Sequence, residues 1–111
     1  MQNLKNSSLF RSQAFLDGQW RDADDKTRFS VSNPATGELL GEVPRMGGAE
    51  TVRAVDAANA ALPAWRSLLA RERAAILQRW YHLILANADD LARMMTLEQG
   101  KPLIEAKGEV V

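Results

Sequence analysis

Few residues in this chain have the chemistry to act on a substrate. Gly100-Lys101 suggests a phosphate grip, but a P-loop needs several backbone N–H groups from a glycine-rich loop, then lysine, then a hydroxyl for magnesium. Here Gly100 stands alone and Pro102 takes the hydroxyl position, removing a donor as well. The pair reads better as helix punctuation, with glycine ending one helix and proline starting the next. "MGGAE" has two adjacent glycines without the spacing of a dinucleotide-binding turn. His82, the only histidine, has no nucleophile or orienting carboxylate within reach along its helix, which favours a structural surface role. Glu105 and Glu109 fall one turn apart and could share a cation or a proton, but Lys101 and Lys107 nearby favour a solvated charged face. Cysteine is absent, which excludes disulfides, thiolate metal sites and a cysteine nucleophile within these residues.

The bulk properties narrow the class further. At 111 residues, with 14 basic and 14 acidic side chains spread along the chain, one small domain or part of one is expected. The even charge lacks the basic footprint of a nucleic-acid binder. No apolar run approaches the ~18 residues of a membrane span, and "MQNLKNSSLFRSQ" lacks the apolar centre of a signal peptide. A soluble, cytoplasmic protein is the expectation.

The elements that must position these residues are legible as a pattern. In "AFLDGQW" the Asp17-Gly18 pair supplies a two-residue hairpin turn, flanked by Phe15 and Trp20. Phe29 to Ser32 alternates as a half-buried strand, "NPATGE" is strong turn chemistry, and "LLGEVPR" is a second short strand. From Gly48 the period changes to three and four. Val52, Val55, Ala58, Leu62 and Trp65 define one helix, which Pro63 should kink or end. Arg71 to Ala86 defines a second, with Ile76, Leu77, Trp80, Leu83 and Ile84 on its buried face. Trp65, Trp80 and Tyr81 are expected in the core between helices. Asn87 should cap a third helix with Asp89 and Asp90 in its first turn, burying Leu91, Met94 and Met95 and ending at a left-handed Gly100. Pro102 should occupy the first position of a fourth. The expected fold is α+β, a β-hairpin and short strands over residues 1–47 followed by about four helices over 48–111.

The order of "FLDGQW", "NPATGELLGEVPRMG", "AVDAANAALPAWRSLLARERAAILQRW" and "DDLARMMTLEQGKPLIEAKGEV" resembles the N-terminal part of the aldehyde dehydrogenases, most closely the bacterial succinate-semialdehyde dehydrogenases. The resemblance runs from about Leu9 to Val111. It implies an α/β fold in which residues 1–47 form an N-terminal arm and 48–111 open the cofactor-binding domain. The implied reaction is oxidation of succinate semialdehyde to succinate, by thiolate attack and hydride transfer to NAD or NADP, in an enzyme that is a homo-oligomer when complete. Glutarate semialdehyde is the neighbouring substrate. The family's catalytic cysteine, general-base glutamate and cofactor-binding residues lie beyond the matched segment, so this chain is expected to be a structural piece, inactive alone and binding no cofactor by itself. Val110 and Val111 look like the start of an apolar face that a longer protein would continue.

One site carries over from the resemblance residue by residue. Some members hold a monovalent cation with backbone carbonyls just before the Asn-Pro turn and a carboxylate just before the Gly-Lys-Pro step, which here are Val31, Ser32 and Glu98. Several members have Asp where this chain has the longer Glu98, and the competing reading leaves Glu98 in solvent at a helix end. The alternative for the whole chain is a stand-alone helical interaction module of the same descent, without catalytic activity.

Overall fold

The computed structural model of the chain describes residues 4–111. A single 3-10 turn at Ser7–Leu9 leads into β1 (Ala14–Leu16) and β2 (Gln19–Arg21), an antiparallel hairpin. Asp17 and Gly18 close it with φ of 50° and 72°, the two left-handed residues of a turn whose twist matches the strands. Phe15 sits opposite Trp20 with ring centres 5.1 Å apart, a cross-strand aromatic pair that fixes the register.

A second antiparallel pair follows, β3 (Arg28–Ser32) with β4 (Leu39–Pro44), interrupted by a bulge between Val31 and Ser32. In its turn the Gly37 N–H donates to the Asn33 carbonyl at 2.8 Å, and the Asn33 side chain accepts from the Ala35 N–H at 2.9 Å. Arg28 ties the two strand pairs together, donating to the Asp22 carboxylate and to the carbonyls of Ser12 and Glu42. The arm folds back across β4, because the Phe10 ring lies where a side chain on Gly41 would be: a Cβ there would fall 2.6 Å from its tip. Only glycine leaves that space.

Among the described residues the four α-helices follow the strands: α1 (Gly48–Ser67), α2 (Ala70–Ala86), α3 (Ala88–Gln99) and α4 (Leu103–Val110). Glutamates three residues into α1 and α2 reach back to the chain before them, Glu50 to the Gly47 N–H at 3.0 Å and Glu72 to the Leu69 N–H at 2.7 Å. Each satisfies one donor that the helix start leaves open. Gly100 ends α3 with φ 77°, its N–H bonded to the Thr96 carbonyl. The Gly-Lys-Pro step is therefore a stop and a restart, as its composition implied.

Three expectations change. Pro63 does not end α1, which continues to Ser67; a proline so near the end removes one hydrogen bond where only a single turn remains to be held. Asn87 stands at the start of α3 but its side chain does not cap it; the amide is occupied elsewhere, as described below. Pro102, with ψ 137°, is the extended residue before α4 rather than its first helical one.

The fourth change is the largest. Ile76, Leu77, Trp80 and Leu83, whose spacing calls for burial, are exposed, as is Tyr81, and Ile84 is half-buried. Trp65 is likewise exposed. Among the described residues the buried apolar ones are Ala23, Leu40, Pro44, Ala92 and Ala106, and the tightest helix pair is α3 with α4, where Ala92 and Ala106 are fully covered. Small side chains let those two helices approach closely. Elsewhere the helices spread out: the radius of gyration is 16.7 Å, against about 13 Å for a compact domain of this length. The accessible surface is 8152 Å², against about 6,100 Å² for a compact monomer of this mass. Periodicity states which face needs cover, and the cover itself is not within these residues.

Candidate functional site

The most organised polar cluster joins the N-terminal arm to the start of α3. Asp90 is the one charged side chain that is buried among the described residues, 5% exposed. Its two carboxylate oxygens accept the backbone N–H groups of Lys5 at 3.1 Å and Asn6 at 2.8 Å. Asn6 also donates its side-chain amide to Asn87 Oδ1 at 3.1 Å, while Asn87 Nδ2 donates to the Leu83 carbonyl at 2.8 Å. That is why Asn87 does not cap α3. A carboxylate in the first turn of a helix also lies in the positive end of the helix dipole, so the buried charge is held by two donors and a favourable field.

Around this clasp lies an exposed ionic layer. Asp89 pairs with Lys107 of α4 at 2.8 Å and with Lys5 at 3.6 Å. Its carboxyl is held below the ordinary carboxylate value first by the Lys107 hydrogen bond and charge, then by Lys5. At the start of α1 Glu50 accepts the N–H of Asp24 as well as that of Gly47, and these backbone donors hold its carboxyl below its usual value. A carboxyl depressed in the folded state stabilises the fold above its unfolded pKa and loses that contribution as pH falls through the folded value. The midpoint of urea unfolding should therefore be flat above pH ~5 and fall in the acid region below it. Glu50→Gln should remove part of that slope; an unchanged profile would show that the Glu50 contacts do not contribute.

The residues singled out for chemistry are dispersed. Lys101 forms an ion pair with Glu109 and is not free to meet a phosphate. Lys107 is taken by Asp89, and Glu105 is exposed. His82 is exposed, its ring 5.5 Å from that of Tyr81. No group of three or more metal-ligating side chains gathers among the described residues.

Val31 is half-buried in β3, Ser32 is exposed at its end, and Glu98 is exposed near the end of α3 without an ion pair among the described residues. The turn after β3 rests on the end of α3, since a Cβ on Gly100 would meet Pro34 Cγ at 3.1 Å. The segments carrying the three residues are thus neighbours. The bulge between Val31 and Ser32 disrupts the ladder locally beside the carbonyls in question.

Sequence reasoning missed Asp90, which it placed only as a favourable acid beside the helix dipole. A signal was present: Asp90 falls next to Leu91 and one turn before Met94, on the apolar side of α3, whereas Asp89 points away.

The model of the aldehyde dehydrogenase family matches residues 20–111. The chain belongs to the aldehyde dehydrogenase family. Among curated relatives of this aldehyde dehydrogenase segment, the glutarate-semialdehyde dehydrogenase of Pseudomonas aeruginosa is 62% identical over 107 residues, 96% of this chain and 22% of the relative. The succinate-semialdehyde dehydrogenase [NADP(+)] of Escherichia coli is 59% identical, again over 96% of this chain and 22% of the relative. The crystal structure of an E. coli NADP-dependent enzyme superposes with a TM-score of 0.94 at 58% identity, covering 97% of this chain and 22% of that one. The chain thus spans about a fifth of the length of these relatives, and its short antiparallel strands and four helices match the N-terminal part of the aldehyde dehydrogenase fold. No helix among the described residues is long and apolar enough to cross a membrane.

Proposed function

We propose that this chain supplies the structural N-terminal part of an NAD- or NADP-dependent aldehyde dehydrogenase that oxidises succinate semialdehyde, with residues 1–47 as the arm and 48–111 as the opening helices of the cofactor domain. The observation that carries this is the 59–62% identity to enzymes named for two semialdehydes that each bear a carboxylate. A 3-sulfolactaldehyde dehydrogenase at 54% identity adds a third anionic aldehyde to the relatives, so a small aldehyde with an acidic group is the substrate class they share. These residues do not fit the cofactor itself. Among the described residues the strands pair only antiparallel, and the Gly47-Gly48 step between β4 and α1 lacks the spaced glycines that a dinucleotide pyrophosphate requires. No step of the chemistry is assigned to this chain.

Its role is positional. It would shape and hold the cofactor domain, and the complete enzyme would supply the thiolate, the general base and the oligomer contacts. The test is a graft of these residues into the E. coli succinate-semialdehyde dehydrogenase in place of its matching segment. Activity on succinate semialdehyde should stay within about tenfold of the parent, a change of at most roughly 1.4 kcal/mol in the barrier. The parent's preference between succinate and glutarate semialdehydes should be unchanged. A chimera that folds as the parent does but has lost a thousandfold in kcat/KM, or has switched substrate, would place working residues inside this segment.

Within that assembly we assign the carbonyls of Val31 and Ser32 and the Glu98 carboxylate to a monovalent cation. All are hard oxygen donors, as such an ion requires. Exchanging sodium and potassium for a bulky organic cation should lower the melting temperature of the graft, and Glu98→Gln should abolish the difference. Equal melting in all three salts removes the assignment.

A further inference from the structure

We infer that the Asp17-Gly18 turn is a site of spontaneous isoaspartate formation, and that opening of the β1–β2 hairpin sets the rate. The inference does not rest on the family role proposed above. Asp17 is the only aspartate or asparagine in the chain with glycine after it. Glycine has no Cβ to keep its nitrogen from a neighbouring carboxyl, and the space around Gly18 is open, with nothing within 4 Å of where a Cβ would stand. Both residues are exposed, and Asp17 forms no ion pair among the described residues. Its carboxyl is therefore free to react with the main chain beside it. In that reaction the Gly18 nitrogen bonds to the Asp17 side-chain carboxyl carbon, the carboxyl C–OH bond breaks, and the hydroxyl leaves as water with the amide proton. A cyclic imide results. Water then reopens it at either carbonyl: breaking the new N–C bond restores aspartate, whereas breaking the original peptide bond leaves the chain running through the Asp17 side chain. No oxidant or reductant takes part.

The closed hairpin opposes this chemistry. Asp17 has φ 50°, and in the left-handed conformation ψ is about 47°, which sets the Gly18 nitrogen nearly opposite Asp17 Cβ across the Cα–C bond. The ring needs them on the same side. Attack therefore waits for the turn to leave its left-handed state. Little holds that state at the tip: three residues per strand, the Phe15–Trp20 ring pair at 5.1 Å, and Arg11 Cζ 5.0 Å from the Trp20 ring centre. A two-stranded hairpin is marginal by itself in water. The other ties, from Gln13 to Asp22 at 3.0 Å and from Arg28 to Asp22 and the Ser12 carbonyl, lie at the open end, so the tip can open while the strand ends stay joined. Hairpins form in about 1–10 μs, far faster than an imide does, so the rate follows the open fraction. The product does not fit the same hairpin. Isoaspartate adds a main-chain carbon to a two-residue loop, and loop length fixes hairpin register, so the Phe15–Trp20 pairing is lost with it.

The experiment incubates the chain in heavy-oxygen water at neutral pH and body temperature, then digests it with trypsin in ordinary water. Cleavage after Arg11 and Arg21 releases residues 12–21, in which Asp17 is the only aspartate. Each imide opening leaves one heavy oxygen at residue 17, and electron-transfer fragmentation identifies the isoaspartate. Label and isoaspartate at residue 17 should exceed those at every other aspartate by about tenfold. Trp20→Ala and Phe15→Ala, each of which removes the ring pair, should raise the rate about threefold, and Phe29→Ala in the other strand pair should leave it unchanged. In urea the parent should react faster than in buffer and at the same rate as either variant, because no hairpin remains to protect it. Label at residue 17 no greater than elsewhere overturns the site. A rate that is the same in the parent and both variants, or that does not rise when the parent is unfolded in urea, overturns its control by the hairpin.

Discussion

Asp90→Asn in the grafted enzyme lowers the hydrogen-exchange protection of the Lys5 and Asn6 amides by about a hundredfold, which corresponds to roughly 3 kcal/mol of local stability. Each of these N–H groups now donates to one carboxylate oxygen, at 3.1 and 2.8 Å. Asparagine keeps the shape but replaces one acceptor with an NH₂ group, so one backbone donor faces another donor and the remaining bond loses its charge. Hydrogen bonds to an ionised acceptor contribute about 1.5–3 kcal/mol, and a buried donor left alone costs a comparable amount. Asp89→Asn is the control. Asp89 is exposed, and its pairs with Lys107 and Lys5 are surface contacts that water and salt screen, so it should leave those two amides protected. Protection that survives in Asp90→Asn would mean that the arm is held by Phe10 on Gly41 rather than by the clasp.

Trp80→Ala should have opposite outcomes in two settings. In the isolated chain Trp80 is already in water, and its loss should change stability by less than about 0.5 kcal/mol, as surface substitutions do. In the grafted enzyme, where the rest of the polypeptide is expected to cover the face of α2, the same truncation should cost about 3–5 kcal/mol through lost contact and the cavity left behind. That loss should appear as a fall of roughly 5–10 °C in the melting temperature. The measurement is a pair of thermal scans. A small shift in the graft would show that α2 remains at the surface of the whole enzyme, and a large one in the isolated chain would show that the chain covers its own helix.

What the sequence made legible was local. The Asp17-Gly18 turn, the Gly37 turn and the left-handed Gly100 each follow from a backbone conformation that few residues adopt, and all three are where composition put them. The helices themselves followed from the three-and-four spacing, although α1 runs past Pro63 to Ser67 and α4 starts one residue after Pro102. What it hid depends on partners far along the chain or outside it. Asp90 meets residues 84 and 85 positions away, and no periodic pattern encodes such a pairing. The face of α2 was read correctly as apolar and wrongly as buried, because periodicity reports a need for cover and not whether the cover is present. Val31, Ser32 and Glu98 came from resemblance alone; the structure adds the bulge at the first two and the close approach of Pro34 to Gly100 that makes their segments neighbours.

The clasp also sets an order in time. Hairpins close in microseconds and helices faster still, because their contacts are near in sequence. The Asn6 N–H must wait for a carboxylate 84 residues further along the chain, and closing so long a loop carries an entropic cost that only contacts already in place can offset. During synthesis the Lys5 and Asn6 amides are made well before the Asp90 carboxylate that holds them. At roughly 5–20 residues per second they wait at least several seconds for it, whereas the Phe10 ring finds Gly41 of β4 far sooner.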